Sequence, residues 1–244
     1  MKKVILFLLY IISCTLTAQP KYQSDIFSTK NGKKVTITFI KHGSLAITYD
    51  NISFQIDPVI NYQDNVTDYS SFPKANFILV THEHPDHYDE KAIRLLSKKS
   101  TQIILNESCK EKLGSGIAMK NGDKRSLKKR IDIEAVPAYN TTAGREKYHP
   151  KGRDNGYILT FDGLRIYIAG DTEDIPEMND ISNIDIAFLP INQPYTMTLE
   201  QAERAVRMIS PKIFYPYHFN DTPVQELVTR LNNTLIEVRI REMK

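Results

Sequence analysis

Cysteine is nearly missing from the 244 residues: there are two, Cys14 and Cys109. A disulfide framework and a cysteine-built metal site are both excluded by that count. Charge of one sign is missing too. The formal net charge is +3, and removal of Lys2 and Lys3 would leave about +1, far from the basic face a nucleic-acid binder needs. Long apolar runs are lacking as well. Val4 to Ile12, the most apolar stretch, is too short to span a bilayer. No internal repeat is visible.

The short positive start Met1-Lys2-Lys3 followed by Val4 to Ile12 has the pattern of a secretory signal. Two exits are open, cleavage near Ala18 or lipid attachment at Cys14 within Ile11-Ile12-Ser13-Cys14, and the ending Thr17-Ala18-Gln19 favours cleavage. The expectation is an exported chain, periplasmic or secreted, with a lipoprotein as the alternative and membrane contact only if Cys14 is lipidated. Residues 1–18 would be the signal and 19–244 a single domain, since 41% hydrophobic content suffices for one sizeable core. Cys109 is then a lone thiol, expected to be buried or inert.

Histidine is scarce, six in all, yet three lie within six residues in Thr81-His82-Glu83-His84-Pro85-Asp86-His87. These are transition-metal ligand types, placed just after the apolar run Phe77 to Val80, which reads as a buried strand. One tetrahedral ion cannot easily collect His82, His84, Asp86 and His87 at that spacing, so two neighbouring ions are expected.

Along the chain, Asn31-Gly32 sets a hairpin turn before the strand Val35 to Ile40. A second hairpin joins Ser44–Tyr49 to Ile52–Ile56 around Asp50-Asn51, ending at Asp57-Pro58. Asn61 to Lys74 reads as a loop. A helix capped by Asp89 carries the stripe Ala92, Ile93 and Leu96, and a strand at Gln102–Leu105 leads to a short helix ending before Gly114. The basic run Asp123 to Arg130 reads as solvated surface, and Ile131 to Val136 as strand. Ala138 to Asn155 is a long irregular loop, a type that tends to be functional. A third hairpin, Gly156–Phe161 with Leu164–Ala169, delivers Asp171. Strands are then expected at Ile184–Leu189, Ile213–Tyr217 and Leu235–Ile240. Between them lie a helix with the capping box Thr198/Gln201 and another started by Thr222-Pro223 and Gln225. Hairpins early in each half and helices later fit an α/β chain of two sheets face to face with helices outside.

The motif His82-x-His84-x-Asp86-His87 resembles the signature of the metallo-β-lactamase superfamily. Ile56-Asp57-Pro58, Ala169-Gly170-Asp171-Thr172, Pro190-Ile191, Tyr195-Thr196-Met197 and Tyr217-His218 resemble more narrowly the branch holding ascorbate-phosphate lactonases and N-acyl phosphatidylethanolamine phospholipase D enzymes. The resemblance runs from about Val35 to Leu231 and implies an αββα sandwich with a site along one sheet edge. It implies His82 and His84 on a first ion, Asp86, His87 and His218 on a second, and Asp171 between them. Asp86 would also be catalytic, orienting the attacking water. The cofactor implied is Zn2+, one or two ions, with Mn2+ or Fe2+ as alternatives. Where the family places a further first-ion histidine this chain has Asn140, so either that amide or His149 on the same loop completes the set. His42 is expected to contact substrate or support the site from behind, Asp57 to orient a ligand imidazole, and Lys151 and Arg153 to meet an anionic substrate group. The activity implied is metal-dependent hydrolysis of a small ester, lactone or phosphodiester, with no nucleic-acid partner. The alternatives are a metal-binding protein without turnover and a redox di-iron protein of the same fold.

Overall fold

The structure, a computed structural model, describes residues 21–128 and 130–243; the stretch read as an export signal, with Cys14 and Ala18, lies outside them. The amino-terminal half supplies β1 (Ser24–Ser28), β2 (Lys34–Lys41), β3 (Ser44–Tyr49), β4 (Ile52–Ile56), the short pair β5 (Asn61–Tyr62) and β6 (Asn65–Val66), and β7 (Phe77–Leu79). Helix α1 (Glu90–Leu96), β8 (Gln102–Leu105), α2 (Glu107–Leu113) and β9 (Ile117–Ala118) complete it. The other half supplies β10 (Lys124–Lys128), β11 (Ile131–Ala138), β12 (Asp154–Phe161), β13 (Leu164–Ile168), β14 (Ile186–Pro190), α3 (Leu199–Ile209), β15 (Ile213–Tyr217), α4 (Glu226–Arg230) and β16 (Glu237–Val238).

Two seven-stranded sheets result, ordered β1-β2-β3-β4-β7-β8-β9 and β10 through β16 in sequence. Each begins as an antiparallel meander and continues with three strands added in parallel. The topology therefore repeats although the sequence does not. Parallel neighbours need crossovers, and α1, α2, α3 and α4 serve as such.

Side-chain alternation sorts the layers. Phe77 and Leu79 of β7 join the large core between the sheets, whereas Ile78 and Val80 turn outward to Ala92, Ile93 and Leu96 of α1 and Cys109 of α2. Aromatic contacts bridge the sheets, Phe54 to Phe161 at 5.2 Å edge-on and Phe39 to Tyr215 at 5.1 Å. On the second sheet, α3 buries Ala202, Ala205, Val206 and Ile209 and begins with both hydrogen bonds of the Thr198/Gln201 capping box. This is the αββα sandwich. The Cys109 thiol is fully buried, which raises its pKa well above the ordinary value.

Several expectations need correction. Ser24 to Ser28 is a strand, hidden in a polar stretch because it is an edge strand with alternate residues in solvent. The loop between Asn61 and Lys74 contains the β5–β6 hairpin and a 3-10 turn at Tyr69–Ser71. The basic run is edge strand β10, exposed as expected but ordered, with Lys124 ion-paired to Glu134 at 2.8 Å. Thr222 caps nothing: α4 starts at Glu226 without a side-chain cap. The last strand shrinks to Glu237–Val238.

Candidate metal centre at the strand ends

The candidate residues sit where strands stop. His82 to His87 follow β7, Asp57 follows β4, Asp171 follows β13 and His218 follows β15, while His42 occupies the turn between β2 and β3. Strand ends beside the change from antiparallel to parallel pairing are the usual place for a crevice in an open sheet. His42, Asp57 and His218 have φ of 42°, 43° and 51°. Non-glycine residues in that left-handed region are uncommon and gather at functional sites, and here each turn redirects a side chain sharply off its strand. The His218 amide donates to the His42 carbonyl at 3.2 Å, joining the two sheets at this edge.

Two sets of four side chains converge. His82, His84, His149 and Asp171 form one and His42, Asp86, His87 and His218 the other, with potential ligand atoms in each lying within 4.8 Å of one another. Asp171 faces both: Oδ2 is 3.3 Å from Nε2 of His149 and of His218, and Oδ1 is 3.2 Å from His87 Nε2. Buried polar atoms normally find partners. Among the described residues, however, His42 Nδ1, His82 Nε2, His87 Nε2, His218 Nδ1 and Asp171 Oδ1 are buried without a hydrogen bond. Three imidazoles and one carboxylate per set, with His42 and His218 turning Nε2 toward Asp86 and with the Nε2 atoms of His82 and His87 buried and unpartnered, fit a divalent transition ion in each.

A layer of polar groups fixes these rings. Asp57, fully buried, accepts from the Thr81 amide at 2.8 Å, the Thr81 hydroxyl at 2.7 Å and His87 Nδ1 at 2.8 Å. Because the Thr81 hydroxyl proton goes to Asp57, its oxygen accepts from His82 Nδ1 at 3.0 Å. One carboxylate thus fixes the Nδ1 proton of an imidazole in each set, making Nε2 the nitrogen that each ring can give to a cation.

Asn140 and His149 play different parts. The Asn140 amide nitrogen donates to the Tyr195 carbonyl at 2.8 Å, which turns its oxygen toward His149 Nδ1 at 3.0 Å. The ring nitrogen facing Asn140 is then the N–H, and Nε2 points to the centre, 3.2 Å from His84 Nδ1. The amide stands behind the imidazole instead of taking its place. Glu173 holds the start of this loop, its buried carboxylate accepting from the amides of Thr141 and Thr142 at 2.7 and 2.6 Å.

Burial and mutual repulsion shape the charges. Burial lowers His42 to about 3, with His218 adding to the effect, and holds His82 well below its ordinary value. Burial opposes the proton on His218 too, but Asp171 and Asp86 prevail and raise it to about 9. His87 is raised in the same way by Asp171, Asp86 and Asp57. Burial would raise Asp86 and Asp171, yet the surrounding imidazoles bring both well below the carboxylate range.

Two expectations fail here. His42 does not stand behind the site: its Nε2 lies 3.2 Å from Asp86 Oδ2, among the second set's potential ligands. Its place in a turn gave no ligand spacing to read. Lys151 and Arg153 are each paired with carboxylates, and neither lines the cleft beside His84, Asp86 and Asp171. Lys151 pairs with Glu177 at 2.8 Å, and Arg153 with Asp154 at 2.7 Å and Glu83 at 3.3 Å.

Other residues were not visible from the sequence. Gly43 leaves room for the His87 ring, since a Cβ there would lie 2.7 Å from Cε1. Tyr62 stacks on His42 at 3.8 Å. Its hairpin is held by buried Lys41, which donates to the carbonyls of Ile60 and Asn65 at 2.7 and 2.9 Å. A cleft of about 540 Å³ opens beside His84, Asp86 and Asp171.

The family model described as Beta-lactamase superfamily domain matches residues 36–218. A UPF0173 metal-dependent hydrolase of Nanoarchaeum equitans is 28% identical over 195 residues, 77% of this chain and 85% of that one. A provisionally named metal-dependent hydrolase from Parabacteroides distasonis has a crystal structure that superimposes with a TM-score of 0.89 at 62% identity, over 91% of this chain and 100% of its own. A metallo hydrolase from Ignicoccus hospitalis superimposes with a TM-score of 0.73 at 27% identity, over 86% and 95%.

Proposed function

The chain belongs to the beta-lactamase superfamily, and from that premise we propose that its two sets of side chains hold two divalent cations that serve hydrolysis of an ester, lactone or phosphodiester. Its relatives are named metal-dependent hydrolases, and the chain is one of that kind. The carrying observation is the convergence of buried, unpartnered imidazole and carboxylate atoms on one sheet edge, with Asp171 facing both sets. Zn2+, with Mn2+ or Fe2+ as alternatives, would supply Lewis acidity toward a water and toward the oxygen of the bond under attack.

The chain's own groups do the rest. Asp86, with a quarter of its side chain exposed at the cleft, can accept a proton from the attacking water and orient its lone pair. Asp57, directly and through Thr81, and Asn140 hold the Nδ1 protons of His87, His82 and His149, so that Nε2 is the nitrogen each ring would give to a cation. The amino-terminal pattern supports action outside the cytoplasm.

The test is elemental analysis of the purified protein with turnover of ester, lactone and phosphodiester probes. Two equivalents per chain in the wild type, one in His149→Ala, and hydrolysis abolished by chelation and by Asp86→Asn are the expected results. Two bound equivalents with no turnover of any probe would leave a binding protein.

A further inference from the structure

Outside the candidate ligands, the cleft wall consists of Asn61, Tyr62 and Gln63 from the β5–β6 hairpin, Asn192 and Tyr195 after β14, and Asn220 after β15. These are four carboxamides and two phenols. The lining contains no lysine or arginine, and Pro85 is its one aliphatic residue. A phosphate or carboxylate remote from the reacting bond would call for a cationic partner, and an acyl chain for apolar lining; the cleft offers neither. Carboxamides both donate and accept, matching hydroxyl groups, while aromatic faces pack against the C–H surface of a ring. The platforms are fixed beforehand. Tyr62 stacks on His42 at 3.8 Å and its hydroxyl donates to Asn220 at 3.0 Å, and Tyr195, 45% exposed, meets Tyr148 edge-on at 5.0 Å.

We propose that the substrate is an ester or lactone whose body is an uncharged, hydroxyl-rich ring, a neutral sugar derivative; this rests on the hydrolase reading above. The water oxygen bonds to the carbonyl carbon and the acyl C–O bond breaks. One water proton passes by way of Asp86 to the departing oxygen, giving an alcohol and a carboxylic acid that ionises.

The experiment uses the metal-loaded full chain with glucono-δ-lactone, its 6-phosphate, p-nitrophenyl decanoate, and p-nitrophenyl acetate and bis(p-nitrophenyl) phosphate as general hydrolase probes. The neutral lactone should exceed the 6-phosphate and the decanoate in kcat/KM by about tenfold or more, and Asn192→Lys should erode its advantage over the 6-phosphate by about tenfold. Tyr195→Ala should raise KM for the neutral lactone by about tenfold with kcat held within about twofold. Calorimetry with the non-hydrolysable lactam gives a readout free of turnover: binding in the wild type, weakened about tenfold in Tyr195→Ala. Preference for the phosphorylated or decanoyl probe, or no lactam binding, overturns the proposal. Turnover of only the general probes sinks it while the hydrolase reading stands. If no probe is turned over with two metals bound, the hydrolase reading fails, and the lactam titration then decides the nature of the cleft separately.

Discussion

Replacing Asn140 by alanine tests the arrangement most directly, because the residue touches no candidate metal position yet holds one that does. The substitution deletes the acceptor 3.0 Å from His149 Nδ1 and the donor 2.8 Å from the Tyr195 carbonyl. His149 is then free to rotate or to move its proton to Nε2, leaving His82, His84 and Asp171 as the fixed members of that set. Loss of such an outer partner typically weakens metal affinity about 10- to 100-fold, or about 1.4–2.7 kcal/mol. Two neutral hydrogen bonds lost from the metal-free fold cost about 1–3 kcal/mol more in stability. Competition with a chromophoric chelator would resolve the two affinities. The set containing His149 should weaken, the set containing His218 should hold, and Asn140→Asp, which keeps an acceptor, should recover most of the loss. An unchanged isotherm in Asn140→Ala, or an equal loss at both sets, would refute the reasoning.

Asp57→Asn should weaken both sets, since its NH2 group or its oxygen can satisfy only part of the three donors now served; losses of about 10-fold or more at each are expected in the same titration. Gly43→Ala should force a shift of the His87 ring from a 2.7 Å contact, costing about 1–3 kcal/mol in urea unfolding and depleting the second metal equivalent. The metal-free protein should lose stability as pH rises. His218 binds its proton more tightly folded than unfolded, so that contribution is complete below about 6.5 and is lost as pH passes about 9. The slope is at most about 1.4 kcal/mol per pH unit for one proton, and in the loaded protein, where a metal replaces the proton, it should flatten. Unfolding midpoints from pH 6.5 to 9.5, with and without chelator, check this.

The architecture was legible because alternation and turn chemistry agree. β3, β4, β8 and β15 coincide with the strands expected from their apolar patterns, and Asp89 and Thr198 cap the helices they were expected to cap. What escaped was set by tertiary contact. β1 has little apolar signal, and Thr222 offered a capping box that the turn after Phe219 does not use. In the site, the ligand-like residues after β7 announce themselves by spacing. Choosing between Asn140 and His149 needed the loop's closure, in which the Asn140 backbone N–H donates to the His149 carbonyl at 2.9 Å. The sequence points to His42 but not as a potential ligand, and Gly43 and Glu173 act through space on residues distant in sequence, so no local pattern marks their parts.

Each set of potential ligands draws on both halves of the chain. His82 and His84 come from the first sheet and His149 and Asp171 from the second; His42, Asp86 and His87 come from the first and His218 from the second. A cation in either set would therefore be a rivet through two plates that otherwise meet across a mainly apolar core and a few hydrogen bonds, and global unfolding would have to release it. At a free metal concentration a hundred times the dissociation constant, one rivet adds about 2.7 kcal/mol to the unfolding free energy. For a domain whose whole margin is about 5–15 kcal/mol, metal supply would then govern how long the folded chain lasts as well as whether it can act.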